Sequence, residues 1–298
     1  MSNVIPRGRE RVALGALLVL YLSMAVGFTV ATPYGEAPDE DAHLLFVEHL
    51  VRYGTLPRIG PASYSVESSQ PPLYYVLGAL IIKVGQQLAD QAGSDAYLAP
   101  RFDPNLAQHK RLPGAYAVYL HPTAQRWPIW PYVLRAFSTL LGAGLVLLTY
   151  LTARVLVPPP APATVALTAT ACAALIPQAN FIRASIANEN LADFFAAWVL
   201  LLLALQLTRP PARGRVVLCA VVVGLGLLSK LSVAPLGLVA GGVFWLRRQS
   251  PRGRAQDLCA FAAVLGAVVG PFFLYRVITY GDPLATAAWG AMLPPDSP

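Results

Sequence analysis

Long apolar runs with few charges alternate with short polar segments along this chain. The clearest runs cover residues 12–31, 131–153, 163–182 and about 190–208, and a further one covers 258–275. Each is close to the roughly 20 residues that a helix needs to cross about 30 Å of hydrocarbon. A helix in a soluble core would instead carry a polar face every few residues. The pattern predicts an all-α membrane protein, a polytopic helical bundle.

Three apolar segments are shorter. Residues 216–229 and 231–246 flank the single charge of Lys230, which predicts two short spans or a re-entrant hairpin that turns at this lysine. Residues 71–88 open with Pro71-Pro72 and have only about ten apolar residues before a lysine, a length typical of an interfacial helix. We expect this segment, and a helix at about 40–53, to lie along the membrane surface.

Arginine blocks predict the orientation, because short basic loops stay in the cytoplasm. Three blocks are present: Arg7, Arg9 and Arg11; Arg209, Arg213 and Arg215; and Arg247, Arg248, Arg252 and Arg254. With all three in the cytoplasm, about seven transmembrane helices fit. The first covers 12–31, a long extracytoplasmic loop covers 32–130, six further membrane segments lie within 131–278, and a tail at 279–298 is outside. The N-terminus is then cytoplasmic, and residues 183–189 lie on the same side as the long loop.

Composition supports a multi-pass protein of the cell membrane. Hydrophobic residues make up 56% of the chain and charged residues 12%, about half the usual share in soluble domains. The net charge of +7 comes from arginines between apolar runs, without the basic stripe of a nucleic-acid-binding protein. The three cysteines lie inside apolar runs and predict no disulfide framework. Membrane lipids are therefore expected partners, and nucleic acids are not.

The first candidate chemistry follows the first apolar run. Asp39, Glu40 and His43 have the i, i+3 and i, i+4 spacings that place side chains on one helical face. Such a group can supply a base, a phosphate partner or ligands for a divalent metal ion. The alternative is structural: Asp39 caps a surface helix, and its acidic neighbours complement the helix dipole.

Other polar residues belong to the same predicted side. Arg183, Asn188 and Glu189 form a polar connection between two apolar runs, for which the alternative is an ordinary capped turn. Glu67 precedes the Pro71-Pro72 pair. Lys230 is a lone charge in an apolar stretch, where such residues are often functional, although it could also extend to the interface.

These residues occur in the order found in one large superfamily of membrane enzymes. The series includes Pro38-Asp39-Glu40, Gln70-Pro71-Pro72-Leu73-Tyr74-Tyr75, Leu134-Arg135-Ala136-Phe137-Ser138, Asn188-Glu189-Asn190, Gly226-Leu227-Leu228-Ser229-Lys230-Leu231 and Tyr280-Gly281-Asp282-Pro283-Leu284. In this series the chain resembles the GT-C glycosyltransferases. It is most similar to dolichyl-phosphate-mannose protein mannosyltransferases and to the aminoarabinose transferase of lipid A. Relatives commonly have eleven or more spans, so the chain resembles a shortened member.

The resemblance implies an enzyme that moves a sugar from a polyprenyl-phosphate donor to a hydroxyl on a lipid, glycan or protein acceptor. By position, Asp39 matches the family's catalytic acid and Glu40 its acidic neighbour. His43, Asn188 and Glu189 match or resemble family positions and are candidate substrate-binding residues, and Glu67, on the same predicted side, is a further candidate.

Four cations are candidate partners for the donor phosphate, because they lie near predicted outer span ends: Arg135, Arg183, Lys230 and Arg276. A metal ion held by Asp39, Glu40 and His43 is an open alternative. The family's acid before the Pro-Pro pair is replaced here by Ser69 and Gln70. A lipid or sugar transporter, a flippase or a non-catalytic membrane scaffold are the alternative functions.

Overall fold

The computed structural model describes residues 8–32, 35–60, 63, 65–91, 130–159, 162–248 and 250–292, and within these ranges it contains helices and no strand. Residues 92–129 of the predicted loop at 32–130 and residues 293–298 of the predicted tail lie outside the described residues. The described α-helices are α1 (Arg9–Ala31), α2 (Glu40–Tyr53), α3 (Leu73–Gln91), α4 (Trp130–Leu156), α5 (Pro162–Leu175), α6 (Pro177–Arg183), α7 (Glu189–Thr208), α8 (Arg213–Leu227), α9 (Ala234–Arg247), α10 (Pro251–Tyr280) and α11 (Thr286–Gly290). The chain is an all-α, polytopic membrane protein.

Four of these helices, α1, α4, α7 and α10, are long and apolar enough to cross a membrane. Helices α5 and α6 supply a fifth span if the bent pair is counted as one. Helices α8 and α9, with 15 and 14 residues, are shorter than an ordinary span. Counting each of these as a crossing gives the seven passes that the sequence predicts, and that number stays a prediction.

The outer surface of the bundle is apolar, as contact with lipid requires. Val30 on α1 is 78% exposed, Leu238 on α9 is 82% exposed and Ile278 on α10 is 76% exposed. A soluble monomer rarely exposes apolar surface on this scale. These faces are suited to acyl chains.

The run predicted as one span at 163–182 is bent by 65° where α5 ends and α6 begins. Pro177 begins α6, and the residue before a proline is disfavoured in helical conformation, so Ile176 is extended. Arg183 and Asn180 then donate to carbonyl oxygens of α5, at Ala173 and Ala174, both at 2.6 Å. These bonds satisfy carbonyl groups left without helical partners at the break.

The chain reverses direction at Lys230 between α8 and α9. A short 3₁₀ turn at Leu231–Val233 follows the lysine, and α9 then returns alongside α8. At the far end of the hairpin, Arg247 donates to the carbonyl oxygen of Gln206 on α7 at 3.0 Å. Lys230 therefore lies at the end of the bundle where α7 begins.

A buried ion pair joins helices α1, α2 and α4. Arg135 on α4 donates to both carboxylate oxygens of Glu40 at the start of α2, at 2.7 and 2.6 Å. Its other terminal nitrogen donates to the carbonyl oxygens of Thr29 and Thr32, at 2.9 and 2.8 Å, where α1 ends. Glu40 is 0% exposed and Arg135 is 2% exposed. A cation at a helix C-terminus also complements the helix dipole.

The Glu40 carboxylate accepts two further bonds from the backbone. They come from the amide of Gly35 at 3.0 Å and the amide of Ile186 at 3.1 Å. One side chain thus fixes the end of α1, the start of α2, helix α4 and the turn before α7. This network positions the segment that carries Asp39.

The helices predicted at about 40–53 and 71–88 are present as α2 and α3, and they pack on each other. The rings of Phe46 and Tyr75 stack with centroids 3.9 Å apart. Tyr74 is hydrogen-bonded to Ser138 of α4 at 2.9 Å. Whether α3 lies along the membrane surface stays a prediction.

The ion pair generates a stability prediction. Glu40→Gln leaves a buried guanidinium without its counter-charge, and removing one partner of a buried pair typically costs about 3–5 kcal/mol. We expect a loss of that size in reversible unfolding in mixed micelles. The Glu40→Gln/Arg135→Met double variant should lose less than the sum of its two single variants, because the two residues are coupled. Glu36→Gln, at an exposed carboxylate, is the control and should change stability by less than about 0.5 kcal/mol. An unchanged Glu40→Gln protein would contradict the role given to the pair.

Candidate active site

Five polar segments meet at one end of the bundle. They are the start of α2, the 3₁₀ turn at Val66–Ser69, the start of α3, the turn before α7 and the turn between α8 and α9. The amide of Leu73 donates to the carbonyl oxygen of Leu228 at 2.9 Å. Asn188 donates to the carbonyl oxygen of Ser229 at 3.1 Å and to Gln70 Oε1 at 3.4 Å. The site is therefore assembled from distant parts of the sequence.

Asp39 lies at the rim of this site, next to the buried Glu40. Its backbone is left-handed, with φ 55° and ψ 11°, which Asp and Asn tolerate better than most residues. Its side chain is exposed and makes no capping hydrogen bond to α2. The side chain of Asp39 therefore does not cap the helix, as the structural alternative required. The carboxylate is free to meet a ligand.

His43 is buried in the middle of the cluster. Its Nδ1 is hydrogen-bonded to the Tyr75 hydroxyl at 2.9 Å and lies 4.0 Å from Glu67 Oε2. Its Nε2 lies 3.9 Å from Glu189 Oε2. Burial lowers the pKa of His43 from 6.5 to about 4, which outweighs the opposing effects of Glu189 and Asp39. The imidazole is therefore neutral at physiological pH.

Glu67 reaches the same cluster from the 3₁₀ turn. Burial raises its pKa from 4.5 to about 7, and the negative charges of Asp39 and Glu189 act in the same direction. A carboxyl group with this pKa exchanges its proton near neutral pH. The same desolvation therefore raises the pKa of Glu67 and lowers the pKa of its neighbour His43.

Glu189 and Lys230 form an ion pair between the start of α7 and the α8–α9 turn. Both side chains are partly exposed, at 38% and 28%. Arginine or lysine beside an open polar cluster is a common partner for phosphate oxygens. Lys230 is the cation that the structure brings into the cluster with Asp39, His43 and Glu67.

Two buried acceptor atoms in the site have no hydrogen-bond partner among the described residues. They are Asn188 Oδ1 and Glu189 Oε2. An unsatisfied buried polar atom costs about 1–3 kcal/mol, and such atoms are often completed by a ligand or a water molecule. Both are acceptors, so the missing partners are N–H or O–H donors.

The remaining predicted cations have other roles. Arg135 is held by Glu40, and Arg183 closes the break between α5 and α6. Arg276 donates to the carbonyl oxygens of Ser69 and Leu284 and lies over the Phe272 ring, 4.6 Å from its centroid. These three arginines are engaged by other groups, whereas Lys230 pairs with Glu189, although the sequence places all four at span ends.

A shared face for Asp39, Glu40 and His43, expected from their spacing, is not observed. Glu40 points to Arg135, whereas His43 points to Tyr75. Over the described ranges, no three His, Cys, Asp or Glu side chains form a group that could hold a metal ion. These residues therefore do not fit a metal centre.

Two polar side chains of the site were not selected from the sequence. Tyr75 bonds His43, and Gln70 accepts from Asn188. Both belong to the segment before and within α3, where the Pro-Pro pair predicts a helix start but does not reveal which face the tyrosine presents. In the sequence, their position at the start of the predicted surface helix was the feature that could have identified them as site residues.

The raised pKa of Glu67 predicts how pH changes stability. Because the folded protein holds this proton up to about pH 7 and the unfolded chain releases it near pH 4.5, the stabilising contribution is present below pH 4.5 and is lost as pH rises through 7. Glu67→Gln cannot lose the proton. Its unfolding temperature relative to the original protein should therefore rise between pH 5 and pH 8.

The control for that experiment is Glu36→Gln, which removes an exposed carboxylate. His43 contributes in a lower pH range, because its lowered pKa favours the folded state above pH 6.5 and this contribution is lost as pH falls toward 4. A pH-independent difference for Glu67→Gln would show that Glu67 has an ordinary pKa.

No family model matches the sequence, and no curated protein matches it. Among solved structures, the fold is similar to the S. cerevisiae protein O-mannosyltransferase Pmt1–Pmt2 complex bound to the sugar donor, with a TM-score of 0.59 and 19% sequence identity. The match covers 97% of this chain and 35% of that chain. This likeness shows that the two proteins share a helical membrane fold.

Proposed function

We propose that the protein is an integral membrane glycosyltransferase. It transfers a sugar from a polyprenyl-phosphate donor to a hydroxyl on a lipid, glycan or protein acceptor, on the extracytoplasmic side of the cell membrane. The observation that carries the proposal is the exposed, unbonded carboxylate of Asp39 beside a cluster that also holds Lys230, at one end of an apolar bundle. The likeness in fold to a protein O-mannosyltransferase solved with its sugar donor supports it.

The reaction needs a base and a cation at separate points. The acceptor hydroxyl attacks the anomeric carbon while the bond from that carbon to the donor phosphate oxygen breaks. The acceptor proton passes to the carboxylate of Asp39, and the bonding electrons stay on the phosphate. Asp39 acts as general base, and Lys230 stabilises the negative charge that builds on the leaving phosphate. The products are the glycosylated acceptor and polyprenyl phosphate.

Lys230 is paired with Glu189 before donor binds. A donor phosphate carries charge and several acceptor oxygens, so it competes with the Glu189 carboxylate for the ammonium group. Release of Lys230 then frees Glu189 Oε1 as well. In this account Glu189 and Asn188 accept hydrogen bonds from hydroxyl groups of the sugar, which supplies the donors that their buried atoms lack.

Glu40 has a positioning role in this proposal, although the sequence resemblance placed it beside the catalytic acid. Both of its oxygens are occupied by Arg135 and two backbone amides, so it cannot also accept a proton from substrate without breaking the network. It holds the backbone of Asp39 at the rim.

The direct test is incubation of purified protein with a panel of polyprenyl-phospho-sugars and hydroxyl acceptors, with released polyprenyl phosphate as readout. A transporter, flippase or scaffold of the same fold binds or moves lipid without cleaving the sugar–phosphate bond. Release of free sugar without a glycosylated acceptor would show that the protein only hydrolyses the donor. The absence of polyprenyl phosphate release from every donor would contradict the proposal.

Asp39→Asn should lose transfer activity without loss of folding. Asn accepts the left-handed backbone as readily as Asp but cannot take the proton, and loss of a general base costs about 10²–10⁴-fold in rate. Stability should change by less than about 1 kcal/mol, as is usual at exposed sites. Glu36→Gln is the matched control and should keep full activity, whereas the neighbouring Asp41 is buried and unsuitable. Full transfer by Asp39→Asn would exclude the assigned role.

Lys230→Met should weaken donor use. A hydrogen bond to a charged group is worth about 1.5–3 kcal/mol, so kcat/KM for the donor should fall by about 10–100-fold, with a higher donor KM, while acceptor KM changes little. Lys83→Met, which removes an exposed lysine from α3, is the control and should have the original constants. An equal donor KM in Lys230→Met and the original protein would place the phosphate elsewhere.

A further inference from the structure

The opposite end of the bundle carries a concentrated positive charge that the proposed reaction does not use. Helix α7 runs from Glu189 at the candidate site to Thr208 at the far end, where α8 begins, α9 ends and α10 begins. Residues 206–215 and 247–257 contain seven arginines and one acid, Asp257. Asp257 is buried, and its carboxylate is 2.6 Å from Arg248 Nε and 3.7 Å from Arg213 Nε. Most of the positive charge at this end has no carboxylate to balance it.

Gln206, near the end of α7, lies under two of these arginines. Its Oε1 accepts from Arg215 Nε at 2.9 Å, and its backbone oxygen accepts from Arg247 Nε at 3.0 Å. Because a guanidinium can only donate, the bond from Arg215 fixes the amide orientation and makes the other terminal atom, Nε2, the donor. The side chain bridges α7 to the ends of α8 and α9.

The Nε2 donor of Gln206 is buried and has no hydrogen-bond partner among the described residues, and the residue is only 1% exposed. A buried donor without an acceptor is costly. The missing group is an acceptor, and the surrounding arginines favour a negatively charged one. A phosphate oxygen satisfies both conditions, since Arg215 and Arg247 are partly exposed and no described bond uses Nη1 of either.

The apolar surface beside these arginines distinguishes a lipid from a soluble phosphate. Leu246, adjacent to Arg247, is 77% exposed. Trp245 is 51% exposed and lies under Arg254, with the guanidinium 5.1 Å from the ring centroid. Tryptophan beside arginine at the end of a membrane helix is typical of the headgroup level. Acyl chains can follow the exposed face of α9 while the headgroup stays at the arginines.

We propose that this end of the bundle holds a binding site for an anionic phospholipid. One phosphate oxygen accepts from Gln206 Nε2, and Arg215 and Arg247 bind the remaining oxygens. Basic pockets between the ends of membrane helices are a known mode of headgroup recognition. The site is distinct from the candidate active site and does not depend on the proposed transferase function.

General attraction of anionic lipid to a basic surface is the alternative, and isosteric variants separate the two. Gln206→Glu replaces the donor Nε2 by an acceptor and repels phosphate, yet it can still pair with Arg215 and so should fold. Gln256→Glu adds the same charge to the same end of the bundle, at an exposed residue that contacts Arg213. A specific site responds only to the first change, whereas surface attraction responds to both.

The full chain is purified in neutral detergent, and its unfolding temperature is measured with added phosphatidylglycerol, phosphatidylcholine or glycerol 3-phosphate. Phosphatidylglycerol should raise the unfolding temperature by about 3 °C or more at saturation, as expected for a ligand of the folded state. Phosphatidylcholine and glycerol 3-phosphate should not. Gln206→Glu should abolish the shift and Gln256→Glu should keep it.

Three results would overturn the inference. An equal loss of the shift in both variants would indicate surface attraction alone. A full shift in Gln206→Glu would remove Gln206 from the site. An equal shift with glycerol 3-phosphate would identify a soluble phosphate ligand in place of lipid. If Gln206→Glu does not fold, Arg247→Gln replaces it, with Arg252→Gln as the control at an exposed residue. A specific site predicts that phosphatidylglycerol no longer raises the unfolding temperature of Arg247→Gln but still raises that of Arg252→Gln.

Discussion

The arrangement of the candidate active site depends on one buried ion pair, Glu40 with Arg135. A charge inside a helical bundle is unfavourable unless it is paired and fully hydrogen-bonded, and here each oxygen of Glu40 has more than one donor. Meeting that requirement brings together the end of α1, the start of α2, α4 and the turn before α7. Asp39 precedes Glu40 in the chain, so the same constraint holds it at the rim with an exposed carboxylate.

Desolvation then gives the neighbouring groups different chemical roles. The same burial that lowers the pKa of His43 raises the pKa of Glu67, so His43 is neutral near pH 7 and Glu67 exchanges its proton near that pH. Asp39 is the exposed member of the cluster, and the paired side chains of Glu189 and Lys230 are partly exposed beside it. This distribution is suited to a ligand that brings both phosphate charge and hydroxyl donors.

The helices could be predicted from sequence because spanning lipid requires contiguous apolar residues, and α1, α4 and α7 begin and end within a few residues of the predicted runs. The bend at Pro177 was missed because a proline inside an apolar run does not alter its hydropathy. For the site, helical spacing grouped Glu40 with His43, whereas an arginine 95 residues away determines where Glu40 points. Local spacing carries no information about such a partner. The same limit explains why Lys230 could not be told apart from Arg276.

The central claim is that Lys230 and Asp39 face the two ends of one bond, between a sugar and a lipid phosphate. A structure of the full chain with a bound polyprenyl-phospho-sugar analogue that resists cleavage tests this most directly. The account predicts the phosphate within hydrogen-bond distance of Lys230 Nζ, with Glu189 released from the lysine, and the anomeric carbon facing the Asp39 carboxylate. A donor bound with its phosphate away from Lys230, or with Asp39 turned from the sugar, would contradict it.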